Sequence, residues 1–144
     1  MAKKFNFRLQ TLLNLRSEQV KSAKDALNLA LRDRYIQENI INSLVEKKNI
    51  QLQQRQVETT KAIQMQGVWD YISALEREIL TEKKKLAELI KIENNCRKKL
   101  NLALKEEKVL LKLREKKIQE HMQIVQREET NFLDEIGTQI YLRK

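Results

Sequence analysis

The sequence predicts an all-α fold in which two long helices form an antiparallel coiled-coil hairpin. Three observations carry this reading. The 144 residues contain no proline and only two glycines, Gly67 and Gly137. Proline and glycine are the residues that turn a chain sharply, so a chain nearly free of them has few, long elements. Apolar residues recur at seven-residue spacing in two blocks, and a glutamine-rich stretch without that spacing separates them.

Composition agrees with a narrow seam rather than a globular core. Charged residues make up 34% and aromatic residues only 5%. A coiled coil needs just one apolar stripe per helix, which this balance can supply. Disorder is the competing reading, because net charge +9 with low hydrophobicity can leave a chain unfolded. The regular spacing of the apolar residues and the scarcity of Ser, Gly and Pro argue against it.

The first block begins near Leu9. Leu13, Val20, Leu27 and Ile41 share one seven-residue series, interrupted by Arg34. Ala23, Ala30 and Leu44 form its companion, interrupted by Gln37. Such spacing keeps side chains on one stripe, since 3.5 residues approximates a helical turn. The small alanines let a facing helix approach closely. This block predicts a helix over about 7–58.

The pattern fades from Gln51 to Gln66, where six glutamines surround Thr59 and Thr60, with Gly67 just beyond. Glycine in a helix interior costs roughly 1 kcal/mol against alanine. The chain is expected to reverse here, over about 59–67. A second helix is expected over about 68–136. Its series run Ile72, Ile79, Leu86 and Leu100, broken by Glu93, and Leu75, Leu89, Cys96, Ala103 and Leu110, broken by Glu82. The stripe then shifts one position, onto Leu104, Leu111, Ile118, Val125 and Phe132. A straight helix drifts against a seven-residue repeat in this way. Gly137 is expected to end the helix as a left-handed cap.

The whole chain, 1–144, therefore reads as a single coiled-coil domain. At 1.5 Å per residue the two helices span roughly 75–80 Å and roughly 100 Å. Reversal near residue 62 places opposite one another positions that sum to about 125. The first helix then runs out opposite about residue 118, and the last two dozen residues have no partner within the chain.

No constellation of catalytic residues appears, and the chain reads as non-enzymatic. The one histidine, His121, has no cysteine or acidic cluster spaced as metal ligands, and reads as solvated or at a rim. Cys96 sits on the apolar seam and reads as a small core residue in a reducing compartment. Neither glycine belongs to a phosphate-cradling loop. No cofactor or metal is expected. The N-terminus lacks the apolar run of a signal peptide, and no stretch reaches the ~18 apolar residues of a spanning helix. A soluble cytoplasmic protein is expected, with catalysis replaced by binding.

Three segments are candidates for binding. Residues 97–117 hold nine Lys/Arg against three Glu. Lys105, Lys108 and Lys112 are its electrostatic candidates. An acidic protein surface is the expected target, because no interleaved aromatics or zinc pattern points to nucleic acid. A solvated face with pairs such as Glu93–Arg97 is the plainer alternative. Trp69, Tyr71 and Leu75 lie just past the expected turn. Trp and Tyr are enriched where binding energy concentrates, though these residues could equally cap the end of the core. The third segment is the unpartnered C-terminal stripe of Met122, Val125, Phe132, Ile136 and Ile140, with Leu9, Leu12 and Leu13 near the same end.

The stretch Phe5-Asn6-Phe7-Arg8-Leu9-Gln10-Thr11-Leu12-Leu13-Asn14-Leu15-Arg16 resembles the opening of the FliJ family, the stalk component of the flagellar type III export apparatus. Trp69-Asp70-Tyr71-Ile72-Ser73-Ala74-Leu75-Glu76 resembles its aromatic segment after the turn, and Glu128-Glu129 through Leu133-Asp134-Glu135-Ile136 its acidic C-terminal motif. The resemblance implies an antiparallel coiled coil similar to the central stalk of rotary ATP synthases. It implies insertion into a hexameric export ATPase (FliI), which promotes ring assembly and activity, and contact with the export gate protein (FlhA) and export chaperones. Location would be the cytoplasmic face of the flagellar base, touching the membrane only peripherally through the apparatus. On this reading Trp69, Tyr71 and Leu75 face the gate. The paired termini, Leu9, Leu12, Leu13, Met122, Val125, Phe132 and Ile136, face the ATPase. A generic coiled-coil scaffold and a basic nucleic-acid-binding coiled coil are the alternatives.

Overall fold

A computed structural model describes residues 4–57 and 62–143. The fold is all-α, with two long helices packed against each other: α1, Gln10–Val57, and α2, Ala62–Arg143. The chain divides into two compact units, Ala23–Leu100 and a second made of Met1–Ser22 with Asn101–Lys144.

In the unit Ala23–Leu100 the helices run antiparallel, and the seam follows the seven-residue series. Ala30, Ile41 and Leu44 of α1 and Ile72, Leu75 and Ile79 of α2 are buried. Leu44, Leu75 and Ile79 form one apolar cluster with Val45 at its edge. At the margin Lys48 Nζ lies 3.1 Å from Glu76 Oε1. That pair matches the register in which facing positions sum to about 125.

In the other unit residues 4–9 form an arm ahead of α1. The Gln10 N–H donates to the Phe7 carbonyl (3.0 Å), so a turn at Arg8 and Leu9 leads into the helix. Helical structure thus starts at Gln10 rather than at the expected residue 7. Phe7 is instead buried with Leu13 and Leu110, and Phe5, Leu9 and Leu113 pack around them. Arg16 Nη1 lies 2.7 Å from Glu106 Oε2, and Arg114 Nε donates to Gln10 Oε1 at 3.1 Å. These pairs keep to the same register.

Three further expectations are corrected. Of the expected turn, 59–61 lies outside the described residues, while 62–67 is helical. Gly67 does not turn the chain: its φ is not positive, and α2 passes through it. Glutamines are good helix formers, and one exposed glycine costs too little to stop a long helix. Gly137 likewise does not cap α2, which continues through Arg143 without a positive-φ glycine. The seam also does not shift onto Leu104 and Leu111, both of which are exposed, although Ile118 and Val125 of the same series are half-buried. It stays on Leu110, with Leu113 half-buried, because the arm and the start of α1 pack on that side.

Candidate binding surfaces

The antiparallel layout places a polar break in each stripe opposite a break in the other. Gln37 is buried, and its Nε2 donates to the Glu82 backbone carbonyl at 3.0 Å and to Glu82 Oε2. Glu93, 2% exposed, pairs through Oε2 with Arg34 Nη1 at 3.0 Å. Its Oε1 accepts from Arg97 Nη2 at 2.8 Å and from Arg97 Nε at 3.2 Å, the pair along α2 expected from spacing. The Gln37 amide holds the Glu82 carboxyl below the usual carboxylate range, overcoming the opposing effect of desolvation, and Lys85 adds to the lowering. A buried polar layer of this kind favours a unique pairing over raw stability.

The aromatic segment divides. Trp69 and Tyr71 are both exposed, at 43% and 45%. Leu75 is 5% exposed and belongs to the Leu44–Ile79 cluster, so the structure gives it to the core. Residues two apart on a helix point to different sides, so Trp69 and Tyr71 do not make one patch. Sequence groups Tyr71 with Leu75 because they are four apart. It cannot show that the edge of the seam runs between them.

Lys105, Lys108 and Lys112 are all exposed, and their three- and four-residue spacing sets them along one side of α2. Their neighbours Glu106 and Arg114 are engaged with α1 through Arg16 and Gln10. Arg114 bonds a neutral amide and keeps its charge, and Glu106 is taken up by Arg16, so neither contact offsets the positive charge of the three lysines.

The terminal residues divide as well. Leu13 is buried and Leu9 half-buried in the arm cluster, while Leu12 is exposed. On α2 Val125 is half-buried, and every residue from Gln126 to Arg143 is exposed. Met122 and Phe132 stand 64% and 62% open, and Ile136 and Ile140 are exposed in the same stripe. Leu133, Tyr141 and Leu142 are exposed too. Tyr141 and Leu142 lie beyond the stripe that sequence reading follows, whereas Leu133 shares the face of Ile136 and Ile140 at three- and seven-residue spacing.

Sequence reading also misses the arm. Phe5 reaches the His121 ring, with centroids 5.6 Å apart and planes tilted by 53°. His121 is half-buried against an aromatic at the edge of an open groove, the rim position of the two expected for it. An open groove of about 740 Å³ lies between arm and helix, with Lys4, Arg8, Lys117 and Ile124 among its lining residues. The missed signal is Phe5 and Phe7, two of only three phenylalanines, placed before the periodicity begins.

Among the described residues no group of His, Cys, Asp and Glu could hold a metal ion. No described helix is long and apolar enough to cross a membrane. Cys96 is half-buried on the seam with a free thiol.

These features define a class, the antiparallel helical hairpin that presents one helix beyond the end of its partner. The chain matches the family model described as Flagellar FliJ protein over residues 5–144, and it belongs to that family. Comparison with curated proteins and with solved structures returns no match. Family membership makes the protein a component of flagellar protein export, associated with the export apparatus.

Proposed function

We propose that the protein is a non-enzymatic stalk of the export apparatus that engages the hexameric export ATPase (FliI) through its C-terminal stripe. The observation that carries this reading is the exposure of Met122, Phe132, Ile136 and Ile140 along the last part of α2, which has no packing partner among the described residues. Leaving such side chains in water forfeits about 25 cal/mol per Å2 of burial, and large exposed apolar surfaces mark interaction sites. Ring assembly and stimulated hydrolysis follow if the helix is held in a ring. Leu12 adds an exposed apolar side chain from α1, whereas Leu9 and Leu13 act only by holding the arm and α1 onto α2.

The export gate protein (FlhA) would be met through Trp69 or Tyr71, which stand exposed on different sides of α2. Export chaperones and acidic partner surfaces suit Lys105, Lys108 and Lys112. Such work belongs at the cytoplasmic face of the flagellar base.

The test is binding of the purified ATPase to the wild-type chain and to Phe132→Asp/Ile136→Asp. The account expects the double variant to lose at least tenfold in affinity with helix content unchanged. Equal affinity would return the stripe to incidental surface and leave a generic coiled-coil scaffold as the better description.

A further inference from the structure

We infer that Arg34, Gln37, Glu82 and Glu93 form a register lock, which confines the helix pair of unit Ala23–Leu100 to one axial alignment. The export role neither requires nor supplies this inference, which stands on the seam itself.

An antiparallel pair with repeating seams has a natural error, a slip of seven residues. After such a slip most apolar residues again meet apolar residues, so the apolar seam alone separates the registers weakly. The stretch Gln51–Gln66 offers no help from sequence, since the apolar spacing fades there. Something else must choose the register.

The four polar breaks do so. In the observed register Arg34 meets Glu93, and Gln37 meets Glu82. A seven-residue slip in either direction breaks both the Arg34–Glu93 and the Gln37–Glu82 contacts. Core layers sum to about 123 (Leu13 with Leu110, Leu44 with Ile79), so one slip brings Arg34 opposite Glu82 and the other brings Gln37 opposite Glu93, and each leaves the remaining two breaks without a partner across the seam. Arg97 stays with Glu93 because both lie on α2, but the partners across the seam are lost. A buried polar group stripped of its partner keeps its desolvation penalty, so each slipped register is opposed by the breaks it leaves unpaired, least by Arg34, which can turn to water. The lock acts by penalising the wrong alignments, and it does so whether or not the ion pair adds net stability to the right one.

The experiment reads spin-label distances in the full chain. Labels at Ser43→Cys and Lys91→Cys, both exposed sites, are placed in a Cys96→Ser background. The parent should give one narrow distance. A first variant, Arg34→Leu/Gln37→Leu/Glu82→Leu/Glu93→Leu, makes the seam apolar throughout and should give several distances with helix content retained. A second variant, Arg34→Leu/Gln37→Leu/Ile41→Arg/Leu44→Gln, moves the α1 half of the lock by seven residues. It should give a new single distance, with the labels about 10 Å nearer along the axis, because seven residues rise by that amount. The parent distance persisting unchanged in either helical variant would overturn the lock.

Discussion

Arg34 Nη1 lies 3.0 Å from Oε2 of Glu93, a carboxylate that is almost wholly buried, whereas Arg34 itself remains partly open to solvent. The two residues are thus unequal partners. Loss of Glu93 lets Arg34 turn to water, but loss of Arg34 leaves a buried charge with Arg97 alone. Arg34→Ala should therefore destabilise the protein by about 1–3 kcal/mol, the usual cost of stranding a buried polar group. Glu93→Leu should cost distinctly less. Urea unfolding of both variants checks the order, and equal losses would contradict it.

Gly67 gives a test of helix continuity. A Cβ added there would meet nothing within 4 Å, and the backbone φ is not positive. Gly67→Ala should stabilise the chain by up to about 1 kcal/mol through helix propensity. A turn glycine would respond in the opposite sense. The midpoint of thermal unfolding, read by circular dichroism, decides.

Leu75 and Tyr71 separate core from surface within one helical turn. Leu75→Ala should cost about 2–5 kcal/mol, as for other buried leucines. Tyr71→Ala should change stability by no more than about 0.5 kcal/mol, since surface substitutions rarely do more. Comparable costs would mean that Tyr71 is also committed to packing.

Glu82 predicts a pH response. Its folded-state carboxyl titrates below the ordinary value of 4.5, held there chiefly by the Gln37 amide. A lowered folded pKa means that the unfolded chain binds the proton more readily. The contribution of Glu82 is therefore present above the ordinary carboxylate pKa and fades as pH falls through the lowered one. Glu82→Gln should flatten the acid limb of the stability–pH curve relative to the parent. An identical acid limb would show that the Gln37 contact does not influence the titration.

The helices are legible in the sequence where apolar spacing is regular. Leu13, Val20, Ile41, Leu44, Ile72 and Ile79 fall on the seven-residue series and are buried. Sequence draws the reversal toward Gly67 because glycine signals a turn locally, yet neighbouring glutamines sustain a helix through it. The shift onto Leu104 and Leu111 follows from period alone. It fails at those two, where the arm, which has no periodicity, decides which side of α2 is covered, and holds at Ile118 and Val125, which are half-buried. Arg34, Gln37, Glu82 and Glu93 are each visible as breaks in a stripe. Their pairing needs the two helices side by side.

The basic stretch carries its own prediction. Lys105→Gln/Lys108→Gln/Lys112→Gln should slow association with an acidic partner more than it speeds dissociation, and the effect should shrink with added salt, since charges are screened over ~8 Å at physiological ionic strength. Stopped-flow association at two salt concentrations reads this. Tight, saturable, salt-dependent binding of the parent to arbitrary duplex DNA would instead favour a nucleic-acid role for these lysines.

The stalk account is tested most directly by the rate of ATP hydrolysis by the purified export ATPase, measured with the full chain and with a chain lacking residues 126–144. The shortened chain keeps the Phe5–His121 contact and both apolar clusters, so its remaining helices should stay folded. The account predicts that the full chain stimulates hydrolysis and that the shortened chain does not. Equal stimulation by both would contradict it.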